Sequence, residues 1–117
     1  MKDRILVVED ERNMCLLLKE ELEEDGYEVF TALNAEQAVE IFMKTSEIAV
    51  VTIDIEMPGM NGLELAGVLR NDYPDLRIIL LTAYSHHRND LSCWAADAYI
   101  VKSSDLSELK NKIKELL

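Results

Sequence analysis

Three features of the 117-residue sequence predict a doubly wound α/β fold, a five-stranded parallel sheet with helices on both faces. Five short runs rich in Ile, Leu and Val alternate with segments of helical periodicity. The central runs are almost continuously apolar, as strands covered on both faces should be. No repeat, linker or low-complexity stretch breaks the alternation, and the length suits one hydrophobic core. One domain over residues 1–117 is therefore expected.

Arg4 to Val8 reads as the first buried strand. The helix after it places Met14, Leu17, Leu18 and Leu22 inward, sets Glu20, Glu21, Glu23 and Glu24 outward, and stops near Gly26. Tyr27 to Thr31 is a second strand. Asn34 followed by Gln37 predicts a capping box, with Ala35, Ala38, Val39 and Phe42 on the inner helical face. Ile48 to Ile53 is β-branched throughout most of its length and is the expected central strand. Asp54 to Gly62, with Pro58, Gly59 and Asn61, reads as a loop. Leu65, Ala66 and Leu69 belong to a third helix closed by Pro74, and Arg77 to Thr82 is the fourth strand. From Ser85 to Ala95 the helical signal is weak, with Leu91, Trp94 and Ala95 as inward positions. Ala98 to Val101 is the fifth strand. Ser104 is the expected cap of a last helix that buries Leu106, Leu109, Ile113 and Leu116.

Composition narrows the function. Acidic residues number 23 against 12 basic, a formal charge of −11, so the chain should repel nucleic-acid phosphates and not bind them directly. No apolar run approaches the ~20 residues that cross a bilayer, and the N-terminus lacks a secretory pattern, so no membrane association and a cytoplasmic location are expected. Cys15 and Cys93 fit neither a disulfide framework nor a zinc site and read as reduced thiols. His86 and His87 are adjacent, so their side chains diverge and make a poor metal pair. Met57 and Met60 read as loop packing, and Trp94 as core, with a partner anchor as the alternative reading.

Ligands of open parallel sheets sit beyond the carboxyl ends of the strands, where the strand order reverses. Glu9, Asp10 and Glu11 follow the first strand and Asp54 the third. Thr82 ends the fourth and Lys102 follows the fifth. In the flavodoxin-like order 2-1-3-4-5 the first and third strands are neighbours, so their carboxylates converge. Each residue alone has a structural explanation, such as an acidic helix start or a turn aspartate. Four strand ends supplying carboxylates, a hydroxyl and an amine to one place do not. Clustered carboxylates repel unless a hard cation joins them, and Mg2+ suits a site with few carboxylates and open positions for phosphoryl oxygens. A carboxylate can also accept a phosphoryl group as an acyl phosphate, helped by metal and ammonium charge.

The sequence resembles the receiver domain of bacterial two-component response regulators over essentially its whole length. The matching segments are Val7-Val8-Glu9-Asp10-Glu11, Asp54 through Gly62, Leu81-Thr82-Ala83 and Tyr99-Ile100-Val101-Lys102. The resemblance implies that Asp54 takes a phosphoryl group from a sensor histidine kinase or a phosphotransfer protein. It implies Mg2+ held by Asp10 and Asp54, with Glu9 direct or through water and Glu56 through its backbone carbonyl. Lys102 and Thr82 would steady the phosphoryl oxygens. Thr82 would then move and let Tyr99 turn inward, reshaping the face made by the fourth predicted helix, the fifth strand and the last helix. That face would signal to a downstream protein or an output domain, and a homodimer formed on phosphorylation belongs to the same expectation. Such a domain speeds its own phosphorylation and hydrolysis without being a conventional enzyme.

Two departures stand out. Ser103 follows Lys102 where the family has a cis-proline, so a trans peptide is expected, and Ala95 replaces a glycine. Three rival readings remain. A degenerate receiver would act as a scaffold, although the acidic residues, Thr82 and Lys102 are all retained. An aspartate-dependent phosphotransferase enzyme would place its Asp-x-Asp motif after the first strand and turn over phosphate esters. A flavodoxin would be yellow, and Glu9-Asp10-Glu11 would repel its flavin phosphate.

Overall fold

The structure, a computed structural model, describes residues 2–59, 61–83, 94–103 and 105–117. Five parallel strands form one sheet in the order β2-β1-β3-β4-β5. They are β1 (Arg4–Val8), β2 (Glu28–Ala32), β3 (Ile48–Asp54), β4 (Arg77–Thr82) and β5 (Ala98–Val101). The described helices are α1 (Arg12–Glu24), α2 (Ala35–Lys44), α3 (Gly62–Asp72) and α4 (Ser107–Leu116). Both the fold class and the strand order agree with the sequence expectation.

Alternation along each strand sends side chains to two separate cores. Leu6, Val8, Val51, Ile53, Ile78 and Leu80 face α2 and α3, where Phe42, Leu65 and Leu69 complete the packing. Ile5, Val7, Val50, Ile79, Leu81 and Ile100 face the other way, against Cys15, Leu18 and Leu22 of α1 and Leu109 and Ile113 of α4. Both faces are thus apolar, which is why the strands lack polar alternation.

Local chemistry fixes the helix ends. Asn34 Oδ1 accepts from the Gln37 N–H, and Gln37 Oε1 accepts in return from the Leu33 N–H, one residue earlier than in an ordinary capping box. Asn61, expected as a plain loop residue, caps α3 by accepting from the Glu64 N–H. Gly26, at φ 98°, lets the chain leave α1 in the left-handed conformation that glycine tolerates.

Some expectations need correction. Leu17 is exposed and the inner face of α1 is Cys15, Leu18 and Leu22, because the helix is rotated towards Cys15. Trp94 is 72% exposed instead of buried, while its neighbour Ala95 is fully buried as expected. The third strand runs through Asp54, one residue further than its apolar run. The last helix starts at Ser107, later than a Ser104 cap would place it. Asp105 Oδ1 accepts from both the N–H and the hydroxyl of Ser107 there. Ser104, Met60, Cys93, His86, His87, Leu91 and most of the weak helical segment lie outside the described residues. No helix among the described residues is long and apolar enough to cross a membrane.

Candidate functional site

The sheet ladder runs on past the strand ends and fixes the backbone of the polar residues. Glu9 N–H donates to the Ala32 carbonyl, Ile55 N–H to Leu81 and Lys102 N–H to Thr82, at 3.0, 2.8 and 2.7 Å. Val8 pairs with Ile53, so Glu9 and Asp54 stand at the next rung of neighbouring strands. Alternation then aims Glu9, Asp54 and Lys102 to the side of the sheet that α1 and α4 cover. Thr82 falls on the opposite side, with Leu80 below it on β4 and Tyr99 paired to Leu80 on β5.

Three carboxylates meet at this edge. One oxygen from each of Glu9, Asp10 and Asp54 lies within 4.8 Å of the others. Glu9 and Asp54 are each 1% exposed, while Asp10 stands in solvent. The Lys102 ammonium bridges the two buried acids, 2.8 Å from Glu9 Oε1 and 3.1 Å from Asp54 Oδ2. Burial and then the Glu9 carboxylate push the Asp54 carboxyl up to about 7, against the pull of Lys102. Burial works against the Lys102 charge, yet Glu9 and Asp54 outweigh it and hold the ammonium above its ordinary range. One ammonium does not balance three carboxylates, and the surplus charge fits a divalent cation with oxygen ligands.

The loop after Asp54 is tied to it. Glu56 N–H donates to Asp54 Oδ1 at 3.1 Å, and Gly62 N–H to the Ile55 carbonyl at 3.3 Å. Met57 is buried, in keeping with loop packing. The Glu56 side chain is the feature that sequence reasoning missed. Its Oε2 accepts from the Thr82 hydroxyl and its Oε1 from the Ala83 N–H, each at 2.8 Å. No local spacing signals a bond between residues 26 positions apart. Tyr99 is partly buried, with its hydroxyl shielded from solvent. The Lys102–Ser103 peptide is trans, since no cis bond occurs among the described residues. The Ser103 hydroxyl accepts from the Asp105 N–H at 3.1 Å.

A family model of the response regulator receiver domain matches residues 5–114. The response regulator TrrA of Thermotoga maritima, solved in complex with Mg2+ and BeF, is 58% identical. Its TM-score is 0.92, with both chains covered completely. TrrA bound to the histidine kinase ThkA aligns at 57% identity and a TM-score of 0.90, over 100% of this chain and 99% of the other. Among curated proteins, sporulation initiation phosphotransferase F of Bacillus subtilis is 29% identical over all of this chain and 95% of its own. The transcriptional regulatory protein YvrH of Bacillus subtilis is 35% identical over 94% of this chain, which spans only 47% of that protein. The chain belongs to the response regulator receiver domain family of two-component systems.

Proposed function

We infer that Asp54 is the phosphoacceptor, taking its phosphoryl group from a phosphohistidine of a sensor histidine kinase or of a phosphotransfer protein. The observation that carries this reading is the buried Asp54 carboxylate, held at a strand end between two further acids and the Lys102 ammonium. TrrA in complex with Mg2+ and BeF, and TrrA bound to a kinase, support the same reading. An Asp54 oxygen attacks phosphorus while the P–N bond breaks, and the imidazole leaves with the electron pair. Glu9, Asp10, Asp54 and the Glu56 backbone carbonyl would hold Mg2+. The ion supplies charge neutralisation for the oxygens of the transferred group.

Lys102 is drawn from its bridge between Glu9 and Asp54 onto a phosphoryl oxygen. Thr82 turns its hydroxyl to the same group, and Tyr99 settles further inward, so the surface around β5 and α4 changes for a downstream protein or output domain. The domain assists both its own phosphorylation and the hydrolysis that ends the signal, works in the cytoplasm, and can pair with a second copy once phosphorylated. Acetyl phosphate with magnesium should add one phosphoryl group to the intact mass, and Asp54→Asn should remove most of that labelling. Equal labelling of the variant overturns the assignment.

A further inference from the structure

The Glu56 carboxylate holds two donors at once, the Thr82 hydroxyl and the Ala83 N–H, at 2.8 Å each. Two donors converging on the two oxygens of one anion make a small anion-binding cradle at the end of β4. Thr82 is fully buried, so its hydroxyl needs an acceptor, and it has one proton to give. Glu56 also stands two residues beyond Asp54, with its N–H on Asp54 Oδ1. The cradle and the phosphoacceptor are therefore linked through one short loop.

We propose that the Glu56 side chain is an internal stand-in for the phosphoryl group, occupying Thr82 and Ala83 in the resting protein and setting the threshold for the switch. This rests on Asp54 being the phosphoacceptor. A phosphoryl group on Asp54 adds a second anion at the same end of the sheet, two residues from Glu56, and the two anions repel. Thr82 and Ala83 then exchange one anion for the other. The switch is driven only by the difference between the two sets of bonds, since a ligand shifts an equilibrium by its differential affinity alone. Glu56 thereby lowers the apparent affinity of Asp54 for a phosphoryl-like ligand and holds unphosphorylated protein in the resting state. Its backbone carbonyl would hold the metal separately, and side-chain substitution leaves that carbonyl in place.

The test titrates the full chain with beryllofluoride at saturating magnesium, following bound fluoride by 19F resonance and Ala83 by amide exchange. Glu56→Gln and Glu56→Ala should each bind beryllofluoride more tightly, by about tenfold for Ala, the scale of one charge-assisted hydrogen bond. The Ala83 amide of each unliganded variant should lose protection. In a Thr82→Ala background the gain from Glu56→Ala should shrink, because the two residues act through one bond. A gain of undiminished size there assigns the effect to charge alone and overturns the proposal. So do affinities equal to wild type in both Glu56 variants while wild type binds normally. A wild-type chain that binds no beryllofluoride removes the phosphoacceptor reading, and this proposal with it.

Discussion

Gly62 and Asp54 meet backbone to backbone. A Cβ on Gly62 would lie 2.5 Å from the Asp54 carbonyl oxygen and 2.8 Å from the Ile55 Cα. A side-chain tip could swing away from such a contact, but strand backbone cannot. The start of α3 is therefore pressed onto the last residue of β3. Gly62→Ala should cost about 1–3 kcal/mol through forced backbone movement. It should also slow labelling of Asp54 by acetyl phosphate. Urea unfolding and the rate of mass gain measure the two effects, and an alanine variant with wild-type stability contradicts the packing argument.

Asp54 should make the metal-free protein sensitive to pH. Its folded carboxyl sits at about 7 against an ordinary 3.8, so between those values the folded chain keeps a proton that the unfolded chain has released. The Asp54 contribution to stability is thus most favourable at the acid end and falls as pH rises to about 7. Subtracting the profile of Asp54→Asn from that of wild type in EDTA isolates it. The difference should decline across this window and flatten above it. Magnesium, which binds the ionised form, should reduce the decline.

Asp10→Ala removes the solvent-facing member of the carboxylate cluster and should weaken magnesium binding by about tenfold or more. It should leave the fold intact, because Asp10 is exposed. Unchanged affinity by calorimetry would put the ion elsewhere.

Arg70 ties three chain segments together at the other end of the sheet. Its guanidinium donates to the carbonyls of Pro74, Leu76 and Ala95 and to Asp97 Oδ2, which also accepts from the Ile78 N–H. Arg70→Met keeps much of the stem but strands those acceptors, so a loss of about 2–4 kcal/mol is expected. Lysine should recover only part of it, since an ammonium cannot span the same fork. Chemical denaturation of the three proteins checks the order.

Thr52 sits at the centre of β3, fully buried, and its hydroxyl has no hydrogen-bond partner among the described residues. Thr52→Val replaces that hydroxyl with a methyl group of similar shape and should stabilise the protein by about 1 kcal/mol. A destabilised valine variant would mean that the hydroxyl has a partner.

Much of this was legible in the chain itself. The apolar runs mark the strands because each is covered on both faces, and the polar residues that break the pattern at Glu9, Asp54, Thr82 and Lys102 mark the sheet edge where the candidate site lies. The sequence leaves Leu17 ambiguous, because Met14, Leu17, Leu18 and Leu22 satisfy helical spacing about as well as Cys15, Leu18 and Leu22 do. Only the sheet surface and α4 decide which stripe faces inward. Trp94 cannot be placed from its identity, because a large aromatic suits a core or an interface equally, and its exposure depends on where the chain enters β5.

Periodicity and strand-end chemistry are local properties, so the amino-acid sequence alone carries the order of the five strands, the doubly wound sheet and the polar groups at the strand ends. Tertiary structure alone decided which of those groups touch. Lys102 bridges Glu9 and Asp54, Glu56 takes the donors of Thr82 and Ala83, and Arg70 reaches Ala95 and Asp97. These partners lie tens of residues apart, and their pairing follows from the register of neighbouring strands and the way α3 and the loop before it fold back onto the sheet.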